Sequence, residues 1–137
     1  MDKLKRPFST SNLEISLDKL NLAKKFLADA REEFVTYLAT EEEEKLRQAC
    51  EKGWGAVAQL LMHVSGKDLT HHRDFAVVAK QLTDKTGNTI IERAEMAGEA
   101  LHAGGFYHGA LSPEAVNAAL DMISDLIKVF EELTAST

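Results

Sequence analysis

The sequence predicts an all-α fold, an antiparallel bundle of about five helices, and three observations lead there. No proline stands between Pro7 and Pro113, so nothing in that span forbids long helices. Apolar residues recur at three- and four-residue steps over many turns, the period of a helix buried along one stripe. No window alternates apolar and polar residues in a sustained way, so no strand is predicted.

The stretch from Ala49 to His63 is the expected centre. Cys50, Trp54, Val57, Leu61 and Val64 form one apolar stripe, with Trp54 as the anchor of the core. Gly53 and Gly55 each cost a helix roughly 0.8–1 kcal/mol relative to alanine. Close approach is the gain that offsets them: with Ala49, Ala56 and Ala58 they leave a thin surface on which other helices can pack nearly backbone to backbone.

Taken in order, residues 1–11 read as a flexible leader and 12–137 as a single helical domain, with Ser11 or Asn12 as a first cap. Leu17, Leu20, Ala23, Leu27, Ala30, Phe34 and Leu38 keep one face of helix one apolar. Thr40 followed by Glu41-Glu42-Glu43-Glu44 reads as an N-cap and acidic first turn for helix two, which Gly66 closes. Lys67 to Arg73 is expected as a connection. Helix three then turns Phe75, Val78, Ala79 and Leu82 inward and ends at Gly87-Asn88. Helix four carries Ile90, Ile91, Ala94, Ala97 and Leu101, and the chain is expected to break at Gly104-Gly105-Phe106-Tyr107-His108-Gly109. Ser112-Pro113 signals a new start, Ser as cap and Pro at the first helical position. The last helix places Val116, Ala119, Leu120, Ile123, Leu126, Ile127, Phe130 and Leu133 on one face.

Composition narrows the function classes. The 137 residues suffice for one domain, 45% are hydrophobic and 28% charged, and the net charge is −6. That balance argues against the broad basic face of a protein that grips nucleic acid through its phosphates. Cys50 is the single cysteine and cannot form an internal disulfide. No apolar run approaches the roughly 20 residues that span a bilayer, and Met1 to Arg6 is followed by Ser9-Thr10-Ser11-Asn12 rather than an apolar segment. A soluble, cytoplasmic protein is expected, with no membrane partner.

Five polar residues are the candidate binding set: His72, Arg73, Asp74, His102 and Tyr107. The start of helix three and the end of helix four can lie at one end of a bundle, so His72 can face His102 or Tyr107. Arg73 can hold a phosphate or carboxylate bidentately, and the histidines can donate to it or act as acid and base. The plainer alternative is that Asp74 caps helix three, Arg73 pairs with a carboxylate, and His102 and Tyr107 tie down the glycine-rich turn. Glu99-Ala100-Leu101-His102 has the Glu-x-x-His spacing of di-iron bundles, but no second copy exists, so no metal or cofactor is expected. His63 reads as a core or rim histidine. The glycine-rich segment lacks the Gly-Lys-Ser/Thr ending and upstream strand of a P-loop and reads as a turn.

Three passages together resemble the archaeal PaREP family of small helical proteins, which belongs with the HEPN-like helical domains. They are Ala49-Cys50-Glu51-Lys52-Gly53-Trp54-Gly55-Ala56, His71-His72-Arg73-Asp74-Phe75, and Leu101-His102-Ala103 with Phe106-Tyr107 and Leu111-Ser112-Pro113-Glu114. Order and spacing agree over roughly residues 40 to 133. Gly104-Gly105 stands where the family pattern has one Asn, and His108 where it has Glu. The resemblance implies an antiparallel bundle that pairs as a homodimer and is associated with a nucleotide, RNA or a nucleotidyltransferase-like protein partner. HEPN ribonucleases use an Arg and a His separated by four to six residues. Arg6, Arg31, Arg47, Arg73 and Arg93 have no His at that distance downstream, so the expectation leans to a non-catalytic binding module. A small hydrolase or ribonuclease using the His/Arg/Tyr cluster, and a purely structural oligomerisation protein, are the alternatives.

Overall fold

A computed structural model describes residues 17–66 and 69–135, and every described regular element is helical. Five α-helices follow one another: α1 (Leu17–Thr40), α2 (Glu43–Ser65), α3 (His72–Thr86), α4 (Ile90–Ala100) and α5 (Pro113–Ala135). Between α4 and α5 the chain continues as a π-helical segment, Leu101–Tyr107. The expected leader and its Ser11 or Asn12 cap lie outside the described residues.

The Cys50, Trp54, Val57, Leu61 and Val64 stripe is buried, and α2 touches every other element. Its glycines are explained by what approaches them. A Cβ at Gly53 would stand 2.8 Å from Leu101 Cδ1 and Leu120 Cδ2, and one at Gly55 would press on the Phe26 ring at 3.2 Å. The partners are therefore side chains seated in the thin surface, where the sequence suggested nearly bare backbone contact.

Local details correct four expectations. Thr40 is the last residue of α1 and not the cap of α2: its hydroxyl donates to Thr36 O and accepts from the Glu42 amide, while Glu41 makes the turn at φ +59°. α2 then starts at Glu43 with two acidic residues in its first turn. α3 starts at His72, earlier than the connection read to Arg73, and its N-cap His71 makes no side-chain capping bond, so Asp74 adds only first-turn charge. α1 does not keep its apolar face to the end, because Leu38 is 58% exposed.

The fourth correction concerns the glycine-rich segment, which does not break the helix. Wider bonds carry it on: the His108 amide reaches Ala103 O at 3.2 Å, and the reversal waits for Gly109 at φ +60°. Gly105 is where the segment meets α2, since any Cβ there would collide with Cys50 Sγ. Arg47 of α2 holds the far end, donating from Nε to Phe106 O (2.9 Å) and from Nη2 to Tyr107 O (2.8 Å). Gly66 and Gly87 close α2 and α3 in the left-handed conformation, and Ser112 Oγ accepts the Ala115 amide at the start of α5, as their positions in the sequence predict. No helix among the described residues is long and apolar enough to cross a membrane.

Candidate functional site

Gly98 determines how α4 meets α2. A Cβ at that position would stand 2.8 Å from Trp54 Cε3, so only glycine lets α4 lie directly on the indole. Glu95, Glu99 and His102 follow at steps of four and three residues, which places them along one side of the α4–π element. The start of α3 comes in above the same indole.

The result is a cluster of six rings, four of them in contact with His102. Trp54 lies beneath both imidazoles, with ring centroids 5.6 Å from His72 and 5.7 Å from His102, and Phe75 meets it edge-on at 4.9 Å. His72 and His102 are 4.9 Å apart. Phe106 stacks parallel to His102 at 6.3 Å and Tyr107 meets its edge at 4.9 Å. The outward π turns, pinned by Arg47, set these last two rings. Tyr107 is 62% exposed, so the cluster opens to solvent on that side.

Each imidazole has its own carboxylate. His102 Nδ1 donates to Glu51 Oε1 at 2.7 Å, which leaves its Nε2 as the acceptor when the ring is neutral. His72 Nδ1 stands 3.4 Å from Glu99 Oε1. Behind Glu99, one turn earlier, Glu95 is buried at 1% exposure and its Oε2 meets no hydrogen-bond donor. Burial, the hydrogen bond with Glu99 and the charges of Glu99 and Glu92 push the Glu95 carboxyl up to about 9.

Of the five sequence-predicted residues, the structure gathers His72, His102 and Tyr107. Arg73 and Asp74 sit beside His72 in the first turn of α3, and no hydrogen bond or ion pair among the described residues ties either to the rings or to the expected carboxylate. Glu51, Glu95, Phe106 and Arg47 also belong to the cluster or its frame and lie outside the candidate binding set read from the sequence. One signal was available for Glu95: with Ile91, Ala94, Gly98 and Leu101 it occupies the buried stripe of α4. Among the described residues no group of His, Cys, Asp and Glu is placed to hold a metal ion.

The three passages of distinctive sequence on α2, on α3 and along the π segment thus meet at one place. A model of the archaeal PaREP1/PaREP8 family matches residues 12–127. The chain belongs to this family. No curated protein and no solved structure matches it.

Two other features of this PaREP1/PaREP8 protein are distinct from the ring cluster. Burial pushes the Cys50 thiol up to about 11, which leaves it protonated and unreactive near neutrality. A groove of about 380 Å³ between α1 and α5 is lined by Lys24, Arg31, Lys128, Ser124 and Glu131 over Leu27 and Ile127. Two of its cations are already engaged, Lys24 with Glu131 and Arg31 with Asp121.

Proposed function

We propose that this PaREP1/PaREP8 protein is a non-catalytic, HEPN-like binding module, an antiparallel helical bundle that takes up a nucleotide or an unpaired nucleotide of RNA at the ring cluster. The observation that carries the reading is the exposed Tyr107 beside His102, whose ring is held by Glu51 and floored by Trp54. A base stacked there would gain about 1–3 kcal/mol from aromatic contact. The flanking carboxylates Glu51 and Glu99 repel phosphate, so the base faces the cluster and Arg73 supplies the cation for the phosphate. Exposed Val35 and Leu38, one turn apart on α1, suit a homodimer contact, and a cytoplasmic location agrees with the lone buried thiol.

Trp54 is the sole tryptophan and touches both histidines, so its emission reports on the site. Titration with nucleoside monophosphates and a short single-stranded RNA is expected to change that emission saturably. Tyr107→Ala should weaken binding by roughly 10–100-fold. No response to any of these ligands, or equal affinity in Tyr107→Ala, would refute the reading.

A further inference from the structure

Glu95 is the least expected side chain in the molecule: a carboxyl with 1% exposure, on the apolar stripe of α4, with an oxygen that no donor reaches. An ionised carboxylate in that position would be uncompensated, because the charges acting on it, Glu99 and Glu92, are also negative. A carboxyl that bears its own proton has no such difficulty. Its proton, carried on Oε1 because Oε2 meets no partner, needs an acceptor instead of a donor, and Glu99 one turn along is an acceptor.

We propose that Glu95 is the positioning residue of the ring cluster, a buried proton-bearing carboxyl that donates to Glu99 and so holds the Glu99 carboxylate against His72 Nδ1. Glu99 is thereby fixed from two sides, by the Glu95 hydroxyl and by the imidazole at 3.4 Å. His72 in turn stands 4.9 Å from His102, which Glu51 fixes from α2, so one chain of contacts runs from the interior of α4 to the open side of the cluster. The inference deepens the proposed binding site but depends only on its geometry, not on its ligand.

The groups around Glu95 agree with this. From α3 the titratable neighbour of the pair is His72, and Lys80 is drawn outward to Asp84 with a weaker pull toward Glu92. From α2 and the π segment come Glu51 and His102, already paired with each other. From α5, which also packs on α4, Asp121, Lys128 and Glu131 lie along the α1 groove, and Glu114, Asp125 and Glu132 are exposed. The sign follows directly. A folded-state value raised to about 9 from 4.5 means the proton is taken up on folding, so its contribution is fully present below pH 4.5 and lost as pH rises through about 9.

The test uses the ligand-free protein. Infrared spectroscopy near neutral pH should show the carbonyl stretch of a protonated, buried carboxyl, absent in Glu95→Gln and lost from the wild type as pH rises through about 9. The NMR ring resonances of His72 at neutral pH should be the same in wild type and Glu95→Gln, since the amide donates to Glu99 as the acid does. Glu95→Met, which fills the same space and donates nothing, should release the Glu99 carboxylate and shift those His72 resonances. Thermal unfolding of Glu95→Gln should lose the decline in stability that the wild type shows between mildly acidic and alkaline pH. An infrared spectrum without a Glu95-dependent band would overturn the proton assignment, and unmoved His72 resonances in folded Glu95→Met would overturn the positioning role. Neither result bears on whether a nucleotide binds.

Discussion

Carboxylates on the α1 side and carboxylates on α4 are treated in opposite ways. Glu33 accepts from Lys52 at 2.9 Å and has Lys45 at 3.5 Å, Arg31 holds Asp121 at 2.8 Å, and Glu131 meets Lys24. On α4, Glu95 and Glu99 face each other one turn apart, and the basic group in contact with them is the imidazole of His72. The hydrogen bond from Lys52 leads a set of effects that holds Glu33 below its usual range, while burial drives Glu95 far above its own. Solvated pairs of the first kind are cheap to form and individually weak. An interior carboxyl without a cation works against folding, and clusters of such groups concentrate where geometry matters for function. The contrast therefore locates the site without reference to any ligand.

Trp54 is the largest expected effect on the α4 side. It is 8% exposed and carries Phe75, His72, His102 and Gly98 on its faces and edge. Trp54→Ala should cost about 3–5 kcal/mol and dissolve the ring cluster with it. Urea unfolding followed by circular dichroism measures this, and a cost below about 1 kcal/mol would remove the ground for calling this side of the molecule its rigid part.

Much of this organisation was legible in the sequence. The α2 stripe, the inward residues of α3 and the two left-handed glycine caps follow from helical periodicity and from the backbone freedom a reversal requires. The π segment was not legible, because Gly104-Gly105 also fits a chain break. What decides between the two is tertiary: Cys50 leaves no room for a Cβ at residue 105, and Arg47 captures the final carbonyls from another helix. In the site, His72, His102 and Tyr107 were read correctly as neighbours because they are polar or amphipathic residues at element ends. Glu95 escaped because charge on a helix is ordinarily solvated, and only its place among Ile91, Ala94 and Gly98 distinguishes it.

On the α1 side the expected effects are smaller and of opposite pH sense. Glu33, held below its ordinary value of 4.5, contributes stability that is present above that value and lost as pH falls through the folded-state value. Glu33→Gln should therefore cost up to about 1 kcal/mol at neutral pH and almost nothing in strong acid, the reverse of the slope that Glu95 imposes. Thermal unfolding from strong acid to beyond about pH 9 would show the two variants diverging from wild type in opposite directions as pH rises, Glu33→Gln falling below it and Glu95→Gln rising above it. Equal slopes in both would mean that burial and pairing do not separate the two regions.

Arg31→Ala should have the smallest effect of all. The guanidinium and the Asp121 carboxylate are 39% and 63% exposed, so water screens their attraction and holding both side chains costs entropy. A loss within about 0.5 kcal/mol is expected, fading further as salt shortens the screening length. The alkyl stem of Arg31 also lines the α1–α5 groove, and its packing does not respond to salt. Repeating the unfolding at low and at high ionic strength therefore separates the two contributions. A salt-independent loss above about 1 kcal/mol would show that the packing of Arg31, and not its ion pair with Asp121, is what holds this open, charged groove together.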